Sequence, residues 1–173
     1  VMNMSVKNAR SIQTVTITDC MLSLEEFIAV AKYGAKVEFA PEMIETVNAN
    51  RRLLDKFLEE GRIIYGVTTG FGENVRYTVS PEDASRLQEN IVRTHSVSVG
   101  EPLDREQARA VMLMTILNDG KGYSGIRIET LDLIRQMLNL DLYPWAPGEG
   151  SVGYLGVEGH FAMAYIGEGQ IYD

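Results

Sequence analysis

Two short segments, TVTITD at 14–19 and KVEFA at 36–40, alternate apolar and polar residues in the two-residue period of a strand. Between them LSLEEFIAVAKYG carries a helical period, opened by Ser23 with Glu26 three positions on and stopped at Gly34. The spacing predicts a small β-α-β opening. From Pro41 the apolar positions Met43, Val47, Leu54, Phe57 and Leu58 share one helical face, and Gly61 ends the run.

The next stretch, RIIYGVTTGFGENVRYTVSP, is glycine-rich and keeps no sustained period. It is expected to be a short apolar lead-in followed by a long loop, and loops of about 15 residues inside a compact domain are often functional lids. Ser80, Pro81 and Asp83 start a further helix through Leu87, Ile91 and Val92 towards His95. Asp104 with Gln107 starts the next, whose apolar positions nearly surround it, so it is expected to be buried. After the turn GKGYSGIR comes the helix IETLDLIRQMLNL, and then LYPWAPGEG breaks regularity. The remainder, EGHFAMAYIGEG, has room for one short buried helix. The expected fold class is mainly α.

The length of 173 residues fits one domain, and no linker or repeat divides it. A hydrophobic share of 45% and a mean hydropathy of −0.08 describe a packed globular chain. The net charge of −8, with both signs mixed along the chain, offers no stripe for a nucleic-acid backbone. No apolar run approaches the roughly 18 residues of a membrane span, and the N-terminus lacks a secretory pattern, so neither nucleic acid nor membrane is an expected partner and a cytoplasmic protein is expected.

Cys20 is the single cysteine and is read as a small buried hydrophobe. With two histidines, His95 and His160, and no HExxH spacing, a metal site is not expected. YGVTTGFG lacks the Lys-Ser/Thr pair of a phosphate loop. Tyr65, where the apolar lead-in meets the glycine loop, is placed to carry a phenol over a pocket, as a general base or simply as a packed, hydrogen-bonded ring. His95 ends its helix before small residues, where it either meets a ligand or answers the negative end of the helix dipole. Arg127 opens a helix, a poor place for a cation, and is expected to pair with a buried acid or carbonyls. Met112, Met114, Met137 and Met163 read as core filler.

Taken in order, YGVTTGFG at 65–72, IVRTHSVSVGEPL at 91–103, GYSGIR at 122–127 and YPWAPGEGSVG at 143–153 resemble the N-terminal half of the histidine and aromatic amino-acid ammonia-lyase family. The likeness runs over roughly residues 14–170. It implies the N-terminal part of the ammonia-lyase helical fold, with the β-α-β opening and the glycine-rich lid in front. Residues 1–173 would form one N-terminal active-site domain without the C-terminal helical bundle.

In that family an Ala-Ser-Gly tripeptide follows GSVG and cyclises, with loss of water, to a methylidene-imidazolone electrophile. Here Gly153 is followed by Tyr154, Leu155 and Gly156. Setting YLGVEGHF against the family's DLAPLAHM leaves a clean three-residue gap, matches Leu155 and His160, and brings GEG at 167–169 into place. Either the tripeptide has been lost, or it has matured into one modified residue that a twenty-letter sequence cannot write. The gap has the size and place of the modification, which favours the second explanation. The expected cofactor is therefore a methylidene-imidazolone, flanked by Gly153, Tyr154 and Leu155, with no metal.

The resemblance further implies elimination of ammonia from an L-amino acid, with Tyr65 as the base on the lid and His95, Thr68 and Gly72 at the substrate. A polar side chain at 95 suits an imidazole or phenol ring, so histidine is the first expected substrate and tyrosine the second. An aromatic 2,3-aminomutase uses the same apparatus. The rival expectation is a lyase-like scaffold without the electrophile, acting as an assembly or regulatory protein. Family members are homotetramers whose sites combine subunits, and their other catalytic residues lie beyond the segment seen here, so the lone chain is expected to be inactive.

Overall fold

The computed structural model describes residues 8–150 and 155–173. Strands β1 (Thr14–Ile17) and β2 (Lys36–Phe39) pair in parallel, with Val15 opposite Val37 and Ile17 opposite Phe39. Helix α1 (Leu24–Ala31) makes the crossover between them. Its capping box is complete: the Glu26 N–H donates to Ser23 Oγ at 3.3 Å and the Ser23 N–H donates to Glu26 Oε2 at 2.8 Å. Two orphan donors of the first turn are thereby satisfied.

Five more α-helices follow among the described residues: α2 (Pro41–Glu59), α3 (Pro81–His95), α4 (Arg105–Asp119), α5 (Ile128–Leu140) and α6 (Glu158–Tyr165). About 52% of the described residues are helical, so the mainly α class holds. One buried cluster joins β1 and β2 to every one of these helices except α3. Val15, Ile17 and Val37 from the strands meet Val30, Met43, Met112, Ile116, Leu131, Ile134 and Phe161 from the helices. Helices α2, α4 and α5 each bury one face, as a packed layer requires, whereas the described side chains of α3 are half-buried or exposed.

The irregular stretches are more ordered than their sequence suggests. Strand β3 (Val99–Pro102) pairs antiparallel with β5 (Pro147–Glu149), and β4 (Tyr143–Pro144) with β6 (Ile171–Tyr172). Such short strands, three of them containing proline, carry no period to read. The outer edge of β2 is closed by a side chain: Asn139 accepts the Val37 N–H at 2.8 Å and donates its amide to the Val37 carbonyl at 2.9 Å.

Three expectations need correction. Helix α4 buries Ala108, Met112, Leu113, Ile116 and Leu117, but Met114 on its other side is 51% exposed and fills no core. Arg127 is the N-cap residue of α5 and stands exposed. The arginine that does meet carbonyls in the core is Arg109, fully buried in the middle of α4. It donates to the Val30 carbonyl through Nε at 3.1 Å and Nη2 at 2.8 Å, and to the Leu138 carbonyl at 2.8 Å. Both carbonyls lie in the last turn of a helix, α1 and α5 respectively, where backbone acceptors lack intrahelical partners and the dipole is negative. Asp141, in the left-handed conformation just past α5, adds a carboxylate at 2.9 Å. Burial pulls the Arg109 pKa down and the Asp141 charge opposes that pull.

Candidate active site

The lid between Gly61 and Ser80 is pinned at its neck. The Val79 N–H donates to the Thr68 carbonyl at 2.8 Å, the Gly70 N–H to the Tyr77 carbonyl at 3.1 Å, and Thr69 bridges Thr78. A 3-10 turn (Gly72–Arg76) forms its tip. Both threonine hydroxyls work inside the loop. Thr68 Oγ1 accepts the Ile64 N–H at 2.8 Å and donates to the Arg62 carbonyl at 3.1 Å. Thr69 Oγ1, on a residue only 1% exposed, accepts the Gly66 N–H at 3.3 Å and donates to the Gly70 carbonyl at 2.9 Å.

Tyr65 is 59% exposed, with its ring edge-on to Phe71 at 5.7 Å. Its hydroxyl oxygen accepts the Gly72 N–H at 3.1 Å, which leaves the O–H hydrogen free to point at another group. Gly72 makes that bond from φ +56, a conformation that disfavours any side chain. Tyr65, Thr68 and Gly72 thus form one local unit.

His95 closes α3 and is half-buried. Its Nδ1 lies 2.8 Å from the Ile91 carbonyl, which can only accept, so Nδ1 carries the hydrogen and Nε2 is left as an acceptor. The lid meets α3 at Gln88, whose amide donates to the Gly66 carbonyl at 2.9 Å. Gln88 and His95 are two helical turns apart, about 10 Å along the axis, so they lie on one face. The lid therefore touches α3, through Gln88, on the helix face that also carries His95.

The C-terminal segment meets His95 from the other side. The Ser98 N–H donates to His160 Nε2 at 3.1 Å, and the His160 ring stands edge-on to Trp145 at 5.9 Å. Burial lowers the His160 pKa below 6.5. Gly159, one residue earlier in α6, lies directly against the His95 carbonyl. Gly153 and Tyr154 fall outside the described residues; Leu155 is half-buried at the edge of that gap.

A separate cavity of about 860 Å³ lies behind the lid, between α2, the start of α3 and the turn before α5. Gly66, Val67 and Thr68 form part of its wall, but Tyr65, Gly72 and His95 do not. Asp119 lines it with a carboxyl whose pKa is raised by burial. Of the residues to which the sequence assigned the chemistry, this cavity therefore takes in Thr68 alone. Among the described residues, no group of three His, Cys, Asp or Glu side chains is arranged to hold a metal ion, and no helix is long and apolar enough to cross a membrane.

The residues that sequence reasoning missed here are Gly159 and Arg109. A glycine inside a short helix and an arginine inside the apolar run ARAVMLMTIL were the available signals.

The mainly α fold, with its small β-α-β opening and glycine-rich lid, is the N-terminal part of an ammonia-lyase type of fold. The chain belongs to the aromatic amino acid lyase family, whose model matches residues 22–173. It is 42% identical over 154 residues to the histidine ammonia-lyase of Streptococcus sanguinis, covering 87% of this chain and 30% of that enzyme. It superposes with TM-score 0.87 on the tyrosine aminomutase of Streptomyces globisporus, at 33% identity, covering 92% of this chain and 30% of the other. With the histidine ammonia-lyase of Trypanosoma cruzi the TM-score is 0.81 at 33% identity, covering 91% of this chain and 30% of the other. The chain spans about 30% of the length of the curated relatives it matches.

The residues present do not fit the methylidene-imidazolone that the family implies. No Ala-Ser-Gly occurs anywhere in the 173 residues. The Gly156 N–H, the nitrogen that would have to close the ring if Tyr154-Leu155-Gly156 stood in its place, donates instead to Glu158 Oε2 at 2.8 Å.

Proposed function

We propose that the protein recognises an L-α-amino acid bearing an imidazole or phenol ring, histidine first and tyrosine second. The surface is built from the lid unit Tyr65, Thr68 and Gly72 together with His95. The carrying observation is the 2.8 Å bond between His95 Nδ1 and the Ile91 carbonyl, because it leaves Nε2 as an acceptor for the N–H of an imidazole or the O–H of a phenol. Phenylalanine has no such donor and would leave the acceptor unpaired.

The kinship with histidine ammonia-lyases supports histidine, and the likeness to a tyrosine aminomutase supports tyrosine. In the reaction of the family, ammonia elimination or its aminomutase variant, Tyr65 is the group assigned to take the β-proton, and its lid would keep water from the reacting carbon. The residues present do not supply the electrophile of that reaction. We place residues 1–173 as one N-terminal active-site unit within a homo-oligomer, a tetramer, of a soluble cytoplasmic protein.

Calorimetric titration with histidine, tyrosine and phenylalanine tests the reading. Histidine should bind about tenfold more tightly than phenylalanine, the worth of one hydrogen bond of about 1.4 kcal/mol, and His95→Phe should erase the difference. Equal affinity for histidine and phenylalanine in the unaltered protein would sink it.

A further inference from the structure

Gly150 and Gly156 bracket the place where the family's tripeptide would stand, and the two are in contact. A methyl group placed on Gly156 would lie 3.1 Å from the Gly150 carbonyl oxygen. Each flank is then fixed to the same short stretch after α3. Gly150 lies against Ser98, whose Cα would be 3.6 Å from a methyl on Gly150, and the Ser98 N–H is bonded to His160. Gly159 meets the His95 carbonyl so closely that a methyl there would stand 2.5 Å from its oxygen and 2.7 Å from its carbon. Five residues thus join two ends that already touch, and glycines at 156 and 159 permit that approach.

The chemistry of the segment agrees with its geometry. Forming the exocyclic methylidene requires a serine hydroxyl to leave as water, and closing the ring requires a free glycine nitrogen and the loss of a second water. With the three-residue gap before Tyr154, no residue stands in the tripeptide's place; were Tyr154-Leu155-Gly156 set there instead, Leu155 at its centre would offer only a hydrocarbon side chain and no group to lose. The Gly156 N–H, moreover, donates to Glu158 Oε2 at 2.8 Å.

We propose that this protein is an electrophile-free receptor on the ammonia-lyase scaffold, which binds a polar-ringed amino acid without a covalent step and releases it unchanged. The ligand class rests on the recognition reading above; the loss of the electrophile rests on residues 150–160. Tyr65 and His95 then serve binding.

Two measurements on the purified 173-residue protein separate the two parts. Intact mass is taken before and after treatment with cyanide or borohydride, nucleophiles that add to a methylidene-imidazolone. The expected mass is that of the written sequence, 19.3 kDa, unchanged by either reagent. A mass higher by Ala-Ser-Gly less two waters, or an adduct with either nucleophile, overturns the electrophile-free assignment. Histidine is then titrated and recovered: binding with quantitative return of histidine is expected. Release of ammonia overturns the receptor proposal. Absence of histidine binding in a protein of the written mass overturns the recognition reading and the receptor with it, while the mass result stands on its own.

Discussion

Gly159 of α6 packs its bare α-carbon against the main-chain carbonyl of His95 at the end of α3, with a methyl-to-oxygen distance of only 2.5 Å if a side chain were added. The imidazole at the candidate site is therefore held from behind by a second helix. The ring is fixed in turn to α3 itself, through the contact of His95 Nδ1 with the Ile91 carbonyl one turn back.

Gly159→Ala should accordingly cost about 1–3 kcal/mol, the usual price of forcing an extra carbon into a packed contact. The neighbour is backbone, so a rotamer change cannot relieve it. For a chain of this size the loss should appear as a melting temperature lower by about 2–4 °C per kcal/mol. An unchanged melting temperature would mean that α6 is not seated on His95 as described.

Arg109 makes a second prediction. Replacing it by methionine keeps much of the volume but leaves the Val30 carbonyl without a donor, while the Leu138 carbonyl keeps the Asp141 N–H at 3.2 Å. One orphaned buried acceptor costs about 1–3 kcal/mol, so Arg109→Met should destabilise by about that much, measured by urea unfolding. Arg109→Lys should fall between, since an ammonium cannot reach all the same acceptors with one planar fork. Asp141 is 53% exposed, and its loss should cost less than that of Arg109.

Much of this architecture was legible in the chain. Ser23 with Glu26 and Asp104 with Gln107 announced two capping boxes that the structure completes, and Gly34 and Gly61 stop their helices at positive φ. The motif order from YGVTTGFG to GSVG identified the family because glycines and a histidine at fixed separations are rare by chance. What was not legible depended on distant partners. The role of Arg109 needs carbonyls 79 and 29 positions away, and the strands β3 to β6 are too short to show a period. The Asn139 amide on the edge of β2 bridges 102 positions. Thr68 and Thr69 could be placed on the lid from sequence, but only geometry shows that their hydroxyls bond within it.

His160 gives a pH prediction. Burial sets its folded pKa below the ordinary 6.5, and protonation would remove the lone pair that accepts the Ser98 N–H. Above about pH 6.5 the imidazole is neutral in both native and unfolded chains, and its full contribution to stability is present. As pH falls through that value the unfolded chain takes up a proton that the native chain resists, so stability declines until the lower, folded pKa is passed. The slope from this group is at most about 1.4 kcal/mol per pH unit. His160→Gln keeps an acceptor without titrating, so its urea midpoint should fall less than that of the unaltered protein between about pH 7.5 and pH 5.5. Parallel curves for the two proteins would remove His160 as the source.

Asp119, at the wall of the cavity behind the lid, has the opposite sign. Burial raises its pKa above the ordinary carboxylate value of 3.8, so the native chain holds its proton more tightly than the unfolded one. Its contribution is most favourable below pH 3.8 and is lost as pH rises through the folded value, which leaves a partly desolvated charge at neutral pH. Asp119→Asn removes that charge and keeps the shape. At pH 7 the variant should be more stable by about 0.5–1 kcal/mol, the size common for relief of one unfavourable charge. Below the unfolded pKa, where both side chains are neutral, the gain should vanish. A variant less stable than the parent at pH 7 would instead mean that the ionised carboxylate is compensated across the cavity, and Arg51 and Arg127, which share its lining, would be the residues to test next.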